Sequence, residues 1–465
     1  MKKKLLLLGI AFLTSLAPLA TRADELVDMA KKMYPHDNVQ AINRPKSSLV
    51  IDGSTGDVVW EDNVDEVRDP ASMSKLMTLY LVFEAIKEGK ISEKTVITAT
   101  PQDQATANIY EISNNKIVAG VDYTVSELIT MTIVPSSNAT TVMLANYLSD
   151  NDPDAFLDRM NAKAQELGMT NTKWFNASGA AAVSFKGYYN PQNYDNTLSN
   201  QTTARDLGIL AYNFVNHHPE ILNYTNKAKV TVKAGTPYEE TFETYNYSLP
   251  GAKYALKGVD GMKTGSSPNG AFNYIATIKR GEQRMIAVIM GVGDWSDQDG
   301  EYYRHPFGNA LIEKAYADYE YKKLLSKGEQ EIDGQKYKLP EDFYATVKKG
   351  TEPKVKVENN VLKAENGLKT LSSKISDEMK VEKVENPVAQ AIENVTGSKS
   401  ESKPWYGVFF SDKMLILLPV GILLIILSFE YRSRQKRKAA KQERVLRSEE
   451  RRVGKECRSR WSPYH

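Results

Sequence analysis

The 465-residue chain carries 60 Lys and Arg against 58 Asp and Glu, a net charge of +2, and a single cysteine, Cys457. One thiol supports neither a disulfide framework nor a thiolate metal site. The balance hides an acidic middle: residues 1–23 carry +4, 431–446 carry +6 and 447–465 carry +3, leaving −11 for residues 24–430. That sign disfavours nucleic-acid binding, which needs a basic footprint.

Residues 1–23 read as a secretory signal peptide, with Lys2, Lys3 and Lys4, an apolar run over 5–16, and small residues Thr21 and Ala23 for cleavage. Residues 24–326 are long enough for one large domain with a substantial core. Apolar segments on either side of Gly53-Ser54-Thr55-Gly56-Asp57 predict a hairpin. Met73, Leu76, Met77, Tyr80, Leu81 and Ile86 recur at helical spacing and predict a helix over about 72–88. Thr124-Val125-Ser126-Glu127 is a capping-box pattern opening a second helix. A third begins near Asn138, and another spans about 202–215. The period then changes to that of strands over 258–264, 272–279 and 285–292, before a helix over 306–325. Strands at both ends around a helical block imply an α+β domain, with an antiparallel sheet assembled from the two ends.

Residues 327–386, Lys-rich with short alternating segments, predict a small β-rich domain, and 387–404 a polar stalk. Residues 405–430 contain the uncharged run MLILLPVGILLIILSF, preceded by Trp405, Tyr406, Phe409 and Phe410. The basic tail 431–446 follows it. This arrangement predicts a transmembrane anchor with the tail in the cytoplasm and the preceding chain outside; an amphipathic helix lying on the cell membrane is the alternative. The last nineteen residues, 447–465, resemble the translation of a sequencing adapter and are set aside from the fold.

Three short motifs carry chemistry: Ser72-Met73-Ser74-Lys75, Ser136-Ser137-Asn138 and Lys263-Thr264-Gly265. The first two patterns recur in Ser400-Glu401-Ser402-Lys403 and Ser113-Asn114-Asn115, so their order and surroundings carry the weight. Ser72 at a helix start has free backbone N–H groups and a favourable dipole for developing negative charge. Lys75, three residues on, lies on the same face. A lysine takes a serine proton only when desolvation or a second cation lowers its pKa, and Lys263 could supply that cation while holding an anionic substrate end. Each motif also has a plain structural explanation: an N-cap at Ser72, a capped turn at 136–138, an edge strand ending at 263–265. His217 and His218 are adjacent and face different ways, and no metal-ligand spacing occurs, so no metal or other cofactor is expected.

With these motifs, and the phrases Pro70-Ala71-Ser72-Met73-Ser74-Lys75-Leu76-Met77 and Gly258-Val259-Asp260-Gly261-Met262-Lys263-Thr264-Gly265-Ser266-Ser267, the chain resembles the low-molecular-mass penicillin-binding proteins. These are serine-type D-alanyl-D-alanine carboxypeptidases. The closest likeness is to the staphylococcal-type branch, which has a C-terminal membrane anchor and transpeptidase activity. The resemblance implies a penicillin-binding/β-lactamase-like transpeptidase fold, with the catalytic domain outside the membrane of a Gram-positive cell envelope. It implies a stem peptide of peptidoglycan ending in D-Ala-D-Ala as substrate and acylation by β-lactam antibiotics. Ser72 would be the nucleophile, Lys75 its general base and Ser136 a proton relay. Asn138, Lys263, Thr264, Gly265 and Ser266 would bind substrate, with the backbone N–H groups of Ser72 and Ser266 as oxyanion hole. Glu111 falls where the branch has a cleft-edge carboxylate, and Arg205 resembles a helix start in it. The rivals are a class A-like β-lactamase and a catalytically silent penicillin-binding module. For the β-lactamase, Pro219 occupies the position of the water-activating carboxylate and Glu220 is one residue off.

Overall fold

Alternation along the central strands decides the layering. In the computed structural model, which describes residues 24–376 and 378–384, β1 (Ser47–Asp52) sends Leu49 and Ile51 to one face and Val50 to the other. β5 (Gln283–Val292) does the same with Ile286, Val288 and Met290 against Met285, Ala287 and Ile289. A strand buried on both faces needs a cover on each, and both covers are present.

One face packs on α1 (Glu25–Met33) and α7 (Gly300–Asp318) through Leu26, Val27, Phe307 and Leu311. The other carries a helical block: α2 (Lys75–Lys87), α3 (Val125–Ile133), α4 (Asn138–Leu148), α5 (Pro153–Leu167) and α6 (Ala204–His217). α2 is apolar nearly all round and is buried accordingly. The Thr124–Glu127 capping box read from the sequence starts α3, with the Glu127 amide donating to the Thr124 hydroxyl at 3.2 Å.

The sheet is antiparallel, ordered 369–370, β2 (Asp57–Asp62), β1, β5, β4 (Ala271–Arg280), β3 (Val259–Ser267). As expected, it joins the N-terminal hairpin to strands from the far end of the domain. β3 is an edge strand, and its register sets Lys263 opposite Ile275 and Thr264 opposite Tyr274.

Two boundaries differ from the sequence reading. The serine motif lies in a 3₁₀ turn, Ala71–Ser74, and the α-helix proper begins at Lys75. The helix expected over 306–325 starts earlier and stops at Asp318, where Tyr319–Leu325 turns extended as β6 and pairs with β7 (Phe343–Lys348). The run Tyr319-Glu320-Tyr321-Lys322-Lys323 has no apolar stripe of helical period to prolong α7.

The β-rich segment that follows has its own small core of Ile332, Leu339, Phe343, Leu362 and Val381. It is tied to the main sheet by residues 369–370 on β2 and by the Thr55–Thr346 hydroxyl pair at 2.7 Å. No described helix is long and apolar enough to cross a membrane. The signal peptide and the segments expected over 387–465 (stalk, anchor, tail and last nineteen residues) lie outside the described residues.

Candidate active site

The 3₁₀ turn carrying Ser72 is clamped against β3. Gly265 lies so near it that a Cβ there would stand 2.4 Å from the Pro70 carbonyl oxygen and 2.9 Å from the Met73 nitrogen. Gly179, at φ +95°, closes the other side, where a Cβ would fall 2.0 Å from the Ala71 oxygen. Asp69 accepts from the Ala71 amide at 2.8 Å and the Ser267 hydroxyl at 2.7 Å, and Asn273 donates to the Asp69 carbonyl at 3.1 Å. The half-buried Ser72 is thus gripped from three segments distant in sequence.

Beneath it lies Lys75, with no exposed surface. Its Nζ is 3.0 Å from Ser72 Oγ, 2.8 Å from Asn138 Oδ1 and 2.8 Å from the Ser178 carbonyl. Burial first, and the Lys263 charge second, hold the Lys75 amine well below the usual lysine range. A neutral amine has two N–H groups and one lone pair. Asn138 Oδ1 and the Ser178 carbonyl can only accept, so they take the two N–H groups and leave the lone pair for the Ser72 hydroxyl proton. The Asn138 amide is held in that sense because its Nδ2 donates to the Ser113 carbonyl at 2.9 Å. Ser178 is held in turn: Asn176 Oδ1 accepts from the Ser178 and Gly179 amides at 3.2 and 2.6 Å, and Asn200 Nδ2 donates to the Asn176 carbonyl at 3.0 Å.

The remaining motif faces this group from β3. Lys263, 2 % exposed, donates to Ser136 Oγ at 2.9 Å and to the Thr264 carbonyl at 3.0 Å. Ser136 has φ +61°, so the turn between α3 and α4 holds a non-glycine residue in the left-handed region to present its hydroxyl. Burial and the Arg304 charge lower the Lys263 pKa to about 7. Arg304, on α7 and 1 % exposed, donates through Nη1 to Ser266 Oγ at 2.9 Å, with the Asn273 carbonyl at 3.3 Å. None of the hydrogen bonds holding the ends of Lys75, Lys263 and Arg304 goes to a carboxylate. Lys75 is neutral, but Lys263 and Arg304, when charged, are buried cations not hydrogen-bonded to a carboxylate and can receive an anion brought by a ligand.

The sequence-derived set divides cleanly. Ser72, Lys75, Ser136, Asn138, Lys263, Thr264, Gly265 and Ser266 come together. Glu111, two residues from Ser113, is exposed and ion-paired with Lys186 at 2.6 Å, and bonds none of the residues brought together here. Arg205 is elsewhere, bidentate to Asp65 at 2.6 and 3.0 Å at the start of α6. Glu220 is exposed on a 3₁₀ turn after α6 and has none of the site residues as a partner among the described ones. His217 bonds Tyr80, while His218 packs on Tyr80 and Phe83 with its pKa pulled down to about 4 by burial. Arg304, Ser178, Asn176, Asn200 and Asp69 were missed. Nothing marks them in the sequence, because each acts through a neighbour supplied by the tertiary fold.

The sequence pattern of the D-alanyl-D-alanine carboxypeptidase family, peptidase S11, matches residues 35–294, and that of a domain of unknown function matches 321–382. D-alanyl-D-alanine carboxypeptidase DacF of Bacillus subtilis is 27% identical over 296 residues, 61% of this chain and 65% of that protein. DacC of Escherichia coli is 28% identical over 285 residues, 61% and 62% of the two chains. The matches thus span a little under two thirds of these relatives. The fold is that of the crystal structure of a peptidoglycan synthesis regulatory factor (PBP3) from Streptococcus pneumoniae, with TM-score 0.63 and 23% identity over 75% of this chain and 100% of that one.

Proposed function

Because the chain belongs to the D-alanyl-D-alanine carboxypeptidase family (peptidase S11), we propose that it is a serine D-Ala-D-Ala carboxypeptidase acting on peptidoglycan stem peptides. The observation that carries this reading is the Lys75 amine, 3.0 Å from Ser72 Oγ and held by two fixed acceptors. Ser72 Oγ attacks the carbonyl carbon of the penultimate D-Ala as its proton passes to Lys75 Nζ. The N–H groups of Ser72 and Ser266 receive the oxyanion; one such donor contributes roughly 3–4 kcal/mol in other serine hydrolases. Collapse breaks the C–N bond, with Ser136 relaying a proton to the departing D-Ala nitrogen. The terminal carboxylate sits against Lys263 and Thr264, Asn138 holds a backbone amide of the substrate, and Glu111 edges the cleft. Water then hydrolyses the ester on Ser72. An acceptor amine taking the place of water makes the same enzyme a transpeptidase. A β-lactam acylates Ser72 likewise, but its cleaved nitrogen stays tethered. The test is release of D-Ala from a stem pentapeptide, with and without an amine acceptor.

The two lysines set the pH dependence. Lys75 must be neutral, so activity falls as pH drops through its lowered pKa. Lys263 must be charged to hold a carboxylate, so kcat/KM falls as pH rises through about 7 in the free enzyme. Removing the repelling Arg304 charge raises the Lys263 pKa. Arg304→Gln is therefore expected to move the alkaline limb of kcat/KM to higher pH, while Arg304→Lys leaves it in place. An alkaline limb unmoved in a folded Arg304→Gln protein would contradict this coupling.

Cell-membrane anchorage by residues 414–429, with the catalytic domain outside and the chain in the staphylococcal-type branch, is part of the same proposal. The uncharged run, the aromatic residues before it and the basic tail after it support it. Full-length protein is expected to fractionate with membranes, and protein truncated after Lys403 to be soluble. Full-length protein in the soluble fraction, or a basic tail cut by protease added outside the cell, would contradict the topology.

A further inference from the structure

The two N–H groups that receive the oxyanion stand on separate segments, Ser72 on the 3₁₀ turn and Ser266 on the edge strand β3. Their spacing is therefore a property of the tertiary fold. A donor displaced from the oxyanion loses most of its worth, because hydrogen bonds weaken steeply with distance and angle. At Gly265, the residue before Ser266, the two segments are held by contact, with no room for a Cβ against the Pro70 carbonyl and the Met73 nitrogen. Beyond Ser266 they are held by one carboxylate.

That carboxylate belongs to Asp69, which is 9 % exposed. Its Oδ1 accepts from the amide of Ala71, the residue before Ser72, at 2.8 Å. Its Oδ2 accepts from the hydroxyl of Ser267, the residue after Ser266, at 2.7 Å. One rigid group thus reaches the chain neighbours of both oxyanion donors, although Asp69 and Ser267 are 198 residues apart in sequence. Ala71 has φ +50°, in the left-handed region that a residue with a Cβ rarely adopts, and the bond to Asp69 holds its amide there. On the strand side Ser267 Oγ accepts from the Gly270 amide at 2.8 Å and gives its own proton to Asp69. Gly270 closes tightly on this pair: a Cβ there would stand 2.5 Å from the Asp69 carbonyl oxygen and 2.9 Å from Ser267 Oγ. An Asp that only shaped its own turn would need no more than the local bond to Ala71. The second bond, to the end of β3, has no part in that turn. Negative charge repels an oxyanion, so the value of the group is its geometry and not its charge.

Resting on the carboxypeptidase reading above, we propose that Asp69 is a positioning residue of the reaction: by bridging Ala71 to Ser267 it sets the spacing of the Ser72 and Ser266 N–H groups. Substrate binding by Lys263 and Asn138 does not pass through this bridge, because neither side chain bonds Asp69 or Ser267. Loss of the bridge therefore costs the transition state and spares the bound substrate.

The test is stopped-flow acylation of full-length protein in detergent by a β-lactam, which separates the acylation rate k2 from the dissociation constant of the non-covalent complex. A peptide boronic acid, which adds to Ser72 and sets a tetrahedral oxygen between the two donors, reports the hole itself. Asp69→Ala should lower k2 about 10- to 100-fold, part of the roughly 10²–10³ lost with a whole oxyanion donor, and weaken boronate binding by the same factor. The dissociation constant of the non-covalent complex should not change. Asp69→Asn should recover most of the loss, because its amide oxygen still accepts from Ala71 and its NH₂ group donates to Ser267 Oγ. Ser267→Ala, which cuts the bridge at the strand end, should also lower k2, and Asp69→Ala/Ser267→Ala should be no slower than Asp69→Ala. A wild-type k2 in folded Asp69→Ala, or in folded Ser267→Ala where the first does not fold, would overturn the proposal. So would Asp69→Asn as slow as Asp69→Ala, which would make charge the working feature, or a loss confined to the non-covalent dissociation constant. Failure to release D-Ala from pentapeptide would instead overturn the carboxypeptidase reading, and β-lactam acylation would still decide the role of Asp69.

Discussion

Ser72→Ala is expected to abolish both pentapeptide cleavage and covalent β-lactam labelling while leaving the unfolding midpoint nearly unchanged. The loss should be large, roughly 10⁶-fold in kcat by comparison with nucleophile removal in another serine hydrolase, because no other group can form the acyl bond. Stability should hold because Ser72 Oγ has Lys75 as its hydrogen-bond partner among the described residues. The Lys75 amine keeps Asn138 and Ser178, and the turn is held by Asp69, Gly179 and Gly265. Mass spectrometry after incubation with penicillin checks it. An adduct forming on the variant at the wild-type rate would remove Ser72 from the mechanism.

The second large effect separates the two lysines. Lys75→Arg keeps a positive charge but offers no lone pair, since a guanidinium stays protonated. It must also fit a larger planar group into a fully buried slot shaped by Ser72, Asn138 and Ser178. Acylation by a β-lactam should be nearly lost. Lys263→Arg should be milder, because binding a carboxylate needs charge rather than basicity, and guanidinium binds carboxylates well. Its alkaline limb should also vanish, because the replaced group no longer titrates near pH 7. Stopped-flow acylation rates decide the matter; faster acylation of Lys75→Arg than of Lys263→Arg would require the two roles to be exchanged or abandoned.

The parts of this site legible in the sequence were those whose chemistry is local. Ser72 and Lys75 are three residues apart, so their contact follows from helical geometry alone. The strand carrying Lys263 is visible from its period and from the turn after β4. The α+β layering follows from the two faces of β1 and β5. What escaped depends on groups brought together across the fold. Arg304 is one of many charged residues in a helix whose sequence gives no hint that this one is buried behind β3. Ser178 contributes a carbonyl, which has no signature in side-chain identity. Arg205 stands at a recognisable helix start, and its bidentate bond to Asp65 gives it a structural partner away from the catalytic lysines. The stop of α7 at Asp318 was missed because a helix boundary inside a charged run is weakly marked, and the pairing of β6 with β7 fixes it instead.

The most direct test of the serine acyl-enzyme is to mix purified protein with a stem pentapeptide, quench in acid within the first turnover, and analyse both the products and the Ser72 peptide by mass spectrometry. One D-Ala should be released per peptide, with a tetrapeptidyl ester on Ser72 that disappears as turnover is completed. Release of D-Ala with no adduct on Ser72 at any quench time, or β-lactam labelling of Ser72 with no release of D-Ala, would contradict it.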